Sequence, residues 1–404
     1  MRWPMRPVNE LCELAVDCVN KTAPIVEYNT EFKMIRTTNV KNGFIDLDEV
    51  RYVTEEVFEK WTRRSKPQFG DVILTREAPV GEVGRFTSDD DKVFLGQRLF
   101  HYRPNPEKLD WNFLAYVLQS PPVQGRFKGM GFGATVDHVR VGDAERLPIP
   151  CPPLDVQKKI GGILSSYDDL IENNRRRIQL LELAARLLYK EWFVYLRFPG
   201  HEHTKIKNGI PEGWERTFLP DVIDVNPKTP IEKVKEIWYV PMSALSEAGM
   251  TAETRDFERR TTHTTVKFQK NDVLLARITP CLENGKTGLA YFLGDDEVAC
   301  GSTEFIVLRG KRVSHVFTYC LARSYPFRGN AIKSMIGSSG RQRVQASCFD
   351  EYKVPLPPKH LLEMFDDIAH GSFEQIRVLI AQNDRLAKAR DLLLPRLMNG
   401  EVAA

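Results

Sequence analysis

At 404 residues the chain exceeds one ordinary domain and suits about two or three, each large enough to bury its own core. Hydrophobic residues at 42% and charged residues at 27% exclude a disordered chain, and no stretch reaches the ~18 uncharged apolar residues of a membrane helix. The opening Met1-Arg2-Trp3-Pro4-Met5-Arg6-Pro7 lacks the apolar run of a secretory leader, so the cytoplasm is the expected location. The formal net charge of +3 decides nothing about a polyanionic partner, which needs only a local basic face.

In chain order, Lys60, Arg63, Arg64 and Lys66 form a basic cluster ahead of a buried strand over 72–74, which ends at Arg76. All five are candidate phosphate contacts. A helix is expected over 112–119, followed by a basic loop with Arg126, Lys128, a glycine-rich 129–133 segment, Thr135, His138 and Arg140. Phe127-Lys128-Gly129-Met130-Gly131 imitates the glycine-rich turn of amino-methyltransferases. Neither a preceding strand nor an N-P-P-Y or D-P-P-Y tetrad accompanies it, so it reads as a flexible loop.

After Leu147-Pro148-Ile149-Pro150-Cys151-Pro152-Pro153 a heptad pattern runs from Asp155 to about Leu196. Its seam holds Ile160, Leu164, Tyr167, Ile171, Asn174, Ile178, Leu181, Ala185, Leu188, Trp192 and Tyr195. Roughly forty residues at ~1.5 Å each span about 60 Å, more than a compact head needs. Pro199-Gly200 stops the helix.

The chain then repeats itself. Phe69-Gly70-Asp71-Val72-Ile73-Leu74-Thr75-Arg76 matches Lys270-Asn271-Asp272-Val273-Leu274-Leu275-Ala276-Arg277, and the first proline cluster matches Tyr352-Lys353-Val354-Pro355-Leu356-Pro357-Pro358. Strands over 273–275 and 305–308 and a helix over 316–323 are expected, with irregular alternation that points to α+β heads. A second long helix, about Lys359 to Leu394, carries Leu362, Phe365, Ala369, Ile376, Leu379, Asn383, Leu386 and Leu393, with Pro395 ending or kinking it. The two helices can pair antiparallel. Asn174 and Asn383 either fix register as buried amides or are solvated. Arg175-Arg176-Arg177 reads as a solvated face.

The domain layout is therefore a first head over 1–150, a central helix over 151–198, a second head over 199–355 and a C-terminal helix over 356–404. A duplicated head gives one chain the two readers that a symmetric dimer places on DNA; a duplication kept for stability or for a two-sided pocket is the alternative.

Catalytic motifs fail on inspection. Gly285-Lys286-Thr287 resembles the end of a P-loop, but Pro280 stands where its first glycine belongs, so a hairpin turn is expected. His201, His203, His315, His360 and His370 show no metal-site spacing, and Cys12, Cys18, Cys151, Cys281, Cys300, Cys320 and Cys348 contain no Cys-x-x-Cys pair and read as reduced thiols. The strongest ligand signal is a second basic loop over 323–343. It holds Arg323, Arg328, Lys333, Ser338, Ser339, Arg341, Gln342 and Arg343 with no acidic residue, in the place of the first basic loop. Arginine and glutamine pair with guanine and adenine edges, and hydroxyls suit phosphates. With Arg277 these complete the candidate DNA contacts.

The order of basic loop, Leu147 to Leu154, a long helix ending Tyr189-Lys190-Glu191-Trp192-Phe193-Val194, Arg197-Phe198-Pro199-Gly200-His201, Pro211-Glu212-Gly213-Trp214-Glu215 and the terminal Leu394-Pro395-Arg396-Leu397-Met398-Asn399-Gly400-Glu401-Val402 resembles the type I restriction-modification specificity subunit. The resemblance implies two target-recognition domains joined by antiparallel coiled-coil helices, each reading half of a split double-stranded DNA site without catalysing a reaction. It implies two methyltransferase subunits and motor-nuclease subunits as partners, with S-adenosylmethionine, ATP and Mg held on those partners and adenine flipped for methylation. Where the family has Glu-Gln after Pro-Pro-Leu, this chain has Asp155-Val156-Gln157 and Leu361-Leu362-Glu363. A subunit serving methylation alone and a coiled-coil adaptor without DNA are the rival readings.

Overall fold

The computed structural model describes residues 3–47, 49–89, 92–129, 138–231, 236–261, 265–338 and 340–403. The chain divides into two units, one of residues 1–172 with 383–404 and one of residues 173–382. The boundary runs through both long helices, so each unit contains one head and a stretch of each helix.

In the first unit the strands are β1 (Cys12–Asp17), β2 (Phe32–Ile35), β3 (Val72–Thr75), β4 (Val83–Arg85), β5 (Lys92–Leu95) and β6 (Leu99–Pro104). They form an antiparallel sheet in the order β1-β6-β3-β4 and a smaller one in which β2 runs parallel to β5. Strand β3 is apolar on both sides because both of its faces are covered. Val72 and Leu74 pack with helices α1 (Trp111–Gln119) and α2 (Pro121–Gly129), and Ile73 packs with Ile35, Val93 and Leu95. Asp110 caps α1 by accepting from the Phe113 amide. The long helix α3 follows at Leu154–Tyr189 and closes in a π turn over Lys190–Val194.

The second unit repeats this plan with β7 (Ile223–Val225), β8 (Ile237–Val240), β9 (Val273–Ala276), β10 (Thr287–Leu289), β11 (Val298–Gly301) and β12 (Phe305–Gly310). Its sheet order is β7-β12-β9-β10, and β8 runs parallel to β11. Helices α4 (His315–Arg323), α5 (Tyr325–Lys333) and α6 (Lys359–Met398) complete it, α4 capped by the Ser314 hydroxyl.

The structure explains both sequence matches. Gly70 and Asn271 take positive φ, +85° and +67°, at the turn into the central strand. The following aspartates are buried: Asp71 accepts from the Gln68 amide and Arg103, and Asp272 from the Gln269 amide and Arg309. Each proline cluster is a short strand returning to the start of its own head, Pro148–Pro150 on Met5–Pro7 and Lys353–Leu356 on Glu215–Phe218. Proline fits such strands because they are short and lie outside the main sheets.

Within each unit the long helices run antiparallel. In the first, Arg390 bonds Asp168 at 2.5 Å, Asn383 donates to the Ile171 carbonyl at 3.4 Å, and Ile160 and Leu164 share a core with Leu394 and Leu397. In the second, Ile178, Ala185 and Trp192 share a core with Leu362, Phe365, Ala369, Ile376 and Leu379. Asn174 is buried, and Tyr167, Leu181, Leu188, Leu386 and Leu393 are half-buried.

Several expectations need correction. Tyr195 is exposed, because the π turn at 190–194 takes it off the seam. Pro395 does not end α6, which continues to Met398. Residues 127–129 belong to α2, and of the stretch expected as a second basic loop Arg323 ends α4 and Tyr325–Lys333 is α5. Gly285 and Lys286 lie in the connection between antiparallel β9 and β10, as a hairpin turn requires, and Thr287 begins β10.

Candidate nucleic-acid interface

The feature best built to meet a ligand is a small hairpin in the second unit. Ile336 and Arg343 exchange backbone hydrogen bonds of 3.1 and 3.0 Å, and the Arg341 amide donates to the Ser338 carbonyl. Gly337 and Gly340, at φ +134° and +78°, permit the reversal. The Thr279 amide and hydroxyl both donate to the Gln342 carbonyl, and the Val344 amide donates to the Arg277 carbonyl. These bonds fasten the hairpin to the turn after β9, which contains the cis Thr279-Pro280 bond. Ser338 and Arg341 are exposed at the tip, and Gln342 is half-buried beside them. Ser339 lies outside the described residues, as does Thr135.

The other residues expected at DNA divide by environment. Arg76 is not a surface contact: it is buried, bonded to Asp17 at 2.9 Å and to the Val139 carbonyl at 3.0 Å. Burial nonetheless pushes the Asp17 carboxyl above its usual range, against the pull of Arg76. Arg328 is turned inward from α5 and holds the carbonyls of Leu282 and Glu283; burial and neighbouring Arg323 lower its pKa. Arg323 is likewise buried on the carbonyls of Glu247, Ala248 and Gly285. Arg328 lies on α5, where a loop is expected from the sequence, whereas Arg323 ends the helix expected over 316–323 and is buried on carbonyls that lie far away in the chain.

Arg343 makes a bidentate pair with Glu304, at 2.8 to 3.0 Å, leaving Arg341 as the hairpin's outward arginine. Arg277 is half-buried and bonds Gln345 at 3.1 Å. Lys333, Lys128 and Arg140 are exposed, and Arg126 is exposed with one nitrogen on the Pro148 carbonyl. Arg63, Arg64 and Lys66 are exposed together just after the Glu55–Trp61 helix, with Arg64 and Lys60 lining one shallow pocket beside Trp61. His138 is half-buried.

His101, which the sequence reading does not single out, is fully buried on β6 with Nε2 2.6 Å from Asp71. Its second-unit counterpart on β12 is Val307, since His101 pairs with Ile73 and Val307 with Leu274. His315 and His370 meet edge-on at 5.7 Å, and burial with the His370 charge takes His315 down to about 4. Among the described residues no cluster of three or more His, Cys, Asp or Glu has the arrangement of a metal site, and no helix is long and apolar enough to cross a membrane.

Residues 2–183 and 211–361 match the sequence profile of the type I restriction modification DNA specificity domain, one match on each repeat. The chain belongs to that family. Among curated members, the type I restriction enzyme MjaIX specificity subunit of Methanocaldococcus jannaschii is 23% identical over 99% of this chain and 93% of its own length. The EcoEI specificity subunit of Escherichia coli is 32% identical, over 37% of this chain and 26% of its own. A crystal structure of the type I restriction-modification S subunit from M. genitalium matches 98% of this chain and 96% of its own at 17% identity, with a TM-score of 0.54. This places the specificity-subunit fold, two α+β target-recognition domains and two long antiparallel helices, on the whole chain.

Proposed function

We propose that the chain is the DNA-reading subunit of a type I restriction-modification assembly, each head recognising one half of a bipartite duplex site. The observation carrying this reading is the duplication itself: one scaffold occurs twice, and the second copy presents Arg341 and Gln342 on a braced hairpin. Those side chains suit guanine and adenine edges in the major groove, and the adjacent Ser338 hydroxyl suits a phosphate. The bracing matters because a reader whose backbone is already fixed loses less entropy on binding.

The chain's own role is recognition. Methyl transfer belongs to two modification subunits bound to this chain, which carry S-adenosylmethionine, and translocation with cleavage belongs to restriction subunits using ATP and Mg. The paired helices set the unread spacer between half-sites. A seven-residue insertion in each helix adds about 10 Å, or about 3 base pairs of B-DNA, to that spacer.

The test is selection from a random duplex library with the full chain, followed by sequencing. Two specified blocks with an unread gap are expected. Matched heptad insertions should widen the gap without changing either block, and an unchanged gap would refute the spacer role.

A further inference from the structure

The first unit holds a concavity that none of the expected contact residues enters. Lys21, Thr22, Arg36, Arg51, Gln97 and Arg98 line it, enclosing about 290 Å³. They come from the segment after β1, the end of β2, the short strand Arg51–Tyr52 paired with β2, and the turn between β5 and β6. The floor is backbone: the Gly96 amide donates to the Ile35 carbonyl at 2.8 Å, and a Cβ on Gly96 would stand 2.7 Å from that oxygen. Among the described residues no carboxylate lines the space, and of its four cations Arg98 is paired, with Glu77 at 3.0 Å. The Arg36 Nε is buried and makes no hydrogen bond among the described residues.

With Arg98 paired to Glu77, Lys21, Arg36 and Arg51 remain together on a wall without a carboxylate and repel one another, and a buried guanidinium nitrogen left unbonded adds to the cost. The repulsion is relieved by an anion, and the hydroxyl of Thr22, which donates to the Gln97 side-chain oxygen at 3.5 Å, and the Gln97 amide nitrogen add neutral hydrogen-bonding groups on the same wall. We infer that this concavity is the first head's DNA-contact site, in which Lys21, Arg36 and Arg51 hold backbone phosphate and Gln97 contacts a base edge. The inference rests on the DNA-reading role above and assigns it a place in the first head.

The position within the fold supports this. The Arg76 amide donates to the Arg98 carbonyl, and the Arg277 amide to the Glu304 carbonyl, so Arg98 and Glu304 occupy the same place in the two repeats. Thr37, also on the concavity, donates to the Ala78 carbonyl in the turn containing the cis Ala78-Pro79 bond. That turn is the counterpart of the Thr279-Pro280 turn that braces the second head's hairpin.

The experiment is a salt titration of full-length protein binding a mixed-sequence 40-base-pair duplex. K21Q/R51Q alters two exposed side chains, and R36Q is added to give a triple variant. Each lost phosphate contact should lower the slope of log K against log salt by about 0.9. The double variant should therefore lose about 2 in slope, and the control K205Q/K359Q, of equal charge change, should lose none. Selected sequences for Q97L should change in one block only.

Pocket variants that match the control, while R341A/Q342A weakens binding, would overturn the pocket and leave DNA reading intact. A wild-type chain with no salt-dependent duplex binding would overturn both. If inorganic phosphate at constant ionic strength displaced the duplex to the level of the triple variant, the concavity would be a free-anion site and the inference would fail.

Discussion

At the entry to the central strand the two heads are built alike. A residue with positive φ is followed by a buried aspartate, and an arginine on the neighbouring strand grips that aspartate with two nitrogens, Arg103 on Asp71 and Arg309 on Asp272. At the rim, where the strand's last arginine meets the next turn, they differ. One head has Arg98 paired with Glu77, and the other has Glu304 paired with Arg343. Charge is kept where it holds the fold and reversed where a ligand would lie. On the proposed reading, two heads that recognise different half-sites would need rims that diverge on a shared frame.

The largest expected effect breaks the shared frame. Asp71→Ala leaves Arg103 and His101 without their carboxylate, and removing one partner of a buried pair costs about 3–5 kcal/mol. Asp272→Ala orphans Arg309 alone and should cost less, which differential thermal unfolding would show as a smaller drop in Tm. Equal losses would mean His101 adds nothing to the first frame.

Acid sharpens the same point. Burial alone would raise the Asp71 pKa, but hydrogen bonds from His101 and Arg103 outweigh it and hold the group below 3.8. A depressed folded pKa contributes stability above the unfolded value, and that contribution is lost as pH falls from about 3.8 through the folded value. Unfolding followed from pH 6 to 2 should show this loss in the wild type and not in Asp71→Asn.

A middle-sized effect concerns how each head is tied to α3. In the first unit Asp168 accepts from Tyr116 at 2.5 Å and Arg85 at 3.2 Å; in the second Glu182 accepts from Tyr319 at 2.7 Å and the Met250 amide at 2.8 Å. Tyr319→Phe removes one hydrogen bond to a charged acceptor and should cost about 1.5–3 kcal/mol. Hydrogen exchange should rise around α4 and leave α1 unchanged. The smallest expected effect is at the rim: Arg341→Ala or Gln342→Ala should cost about 1–3 kcal/mol of discrimination at one base position with no change in Tm.

The strand repeat and the helix seams were legible in the sequence because each rests on local order, a run of apolar residues or a heptad; the glycines around Arg341 marked a loop there, and its bracing by Arg343 and Thr279 came only with the fold. The burial of Arg76 was not, since its partner Asp17 lies on a strand far away in the chain. Nor was the helix Tyr325–Lys333, where a proline in the first turn after Ser324 starts a helix and a scan for charge saw a loop. The concavity around Arg36 was invisible for the same reason as Asp17. Its residues come from four separate segments, each with one cation, and only the fold brings them together.

The most direct test of two heads in one chain is duplex selection with the wild type and R341A/Q342A compared side by side. Two specified blocks are expected for the wild type, with one of them altered in the variant and the other retained. A single block, or the loss of both together, would contradict independent reading by the two heads.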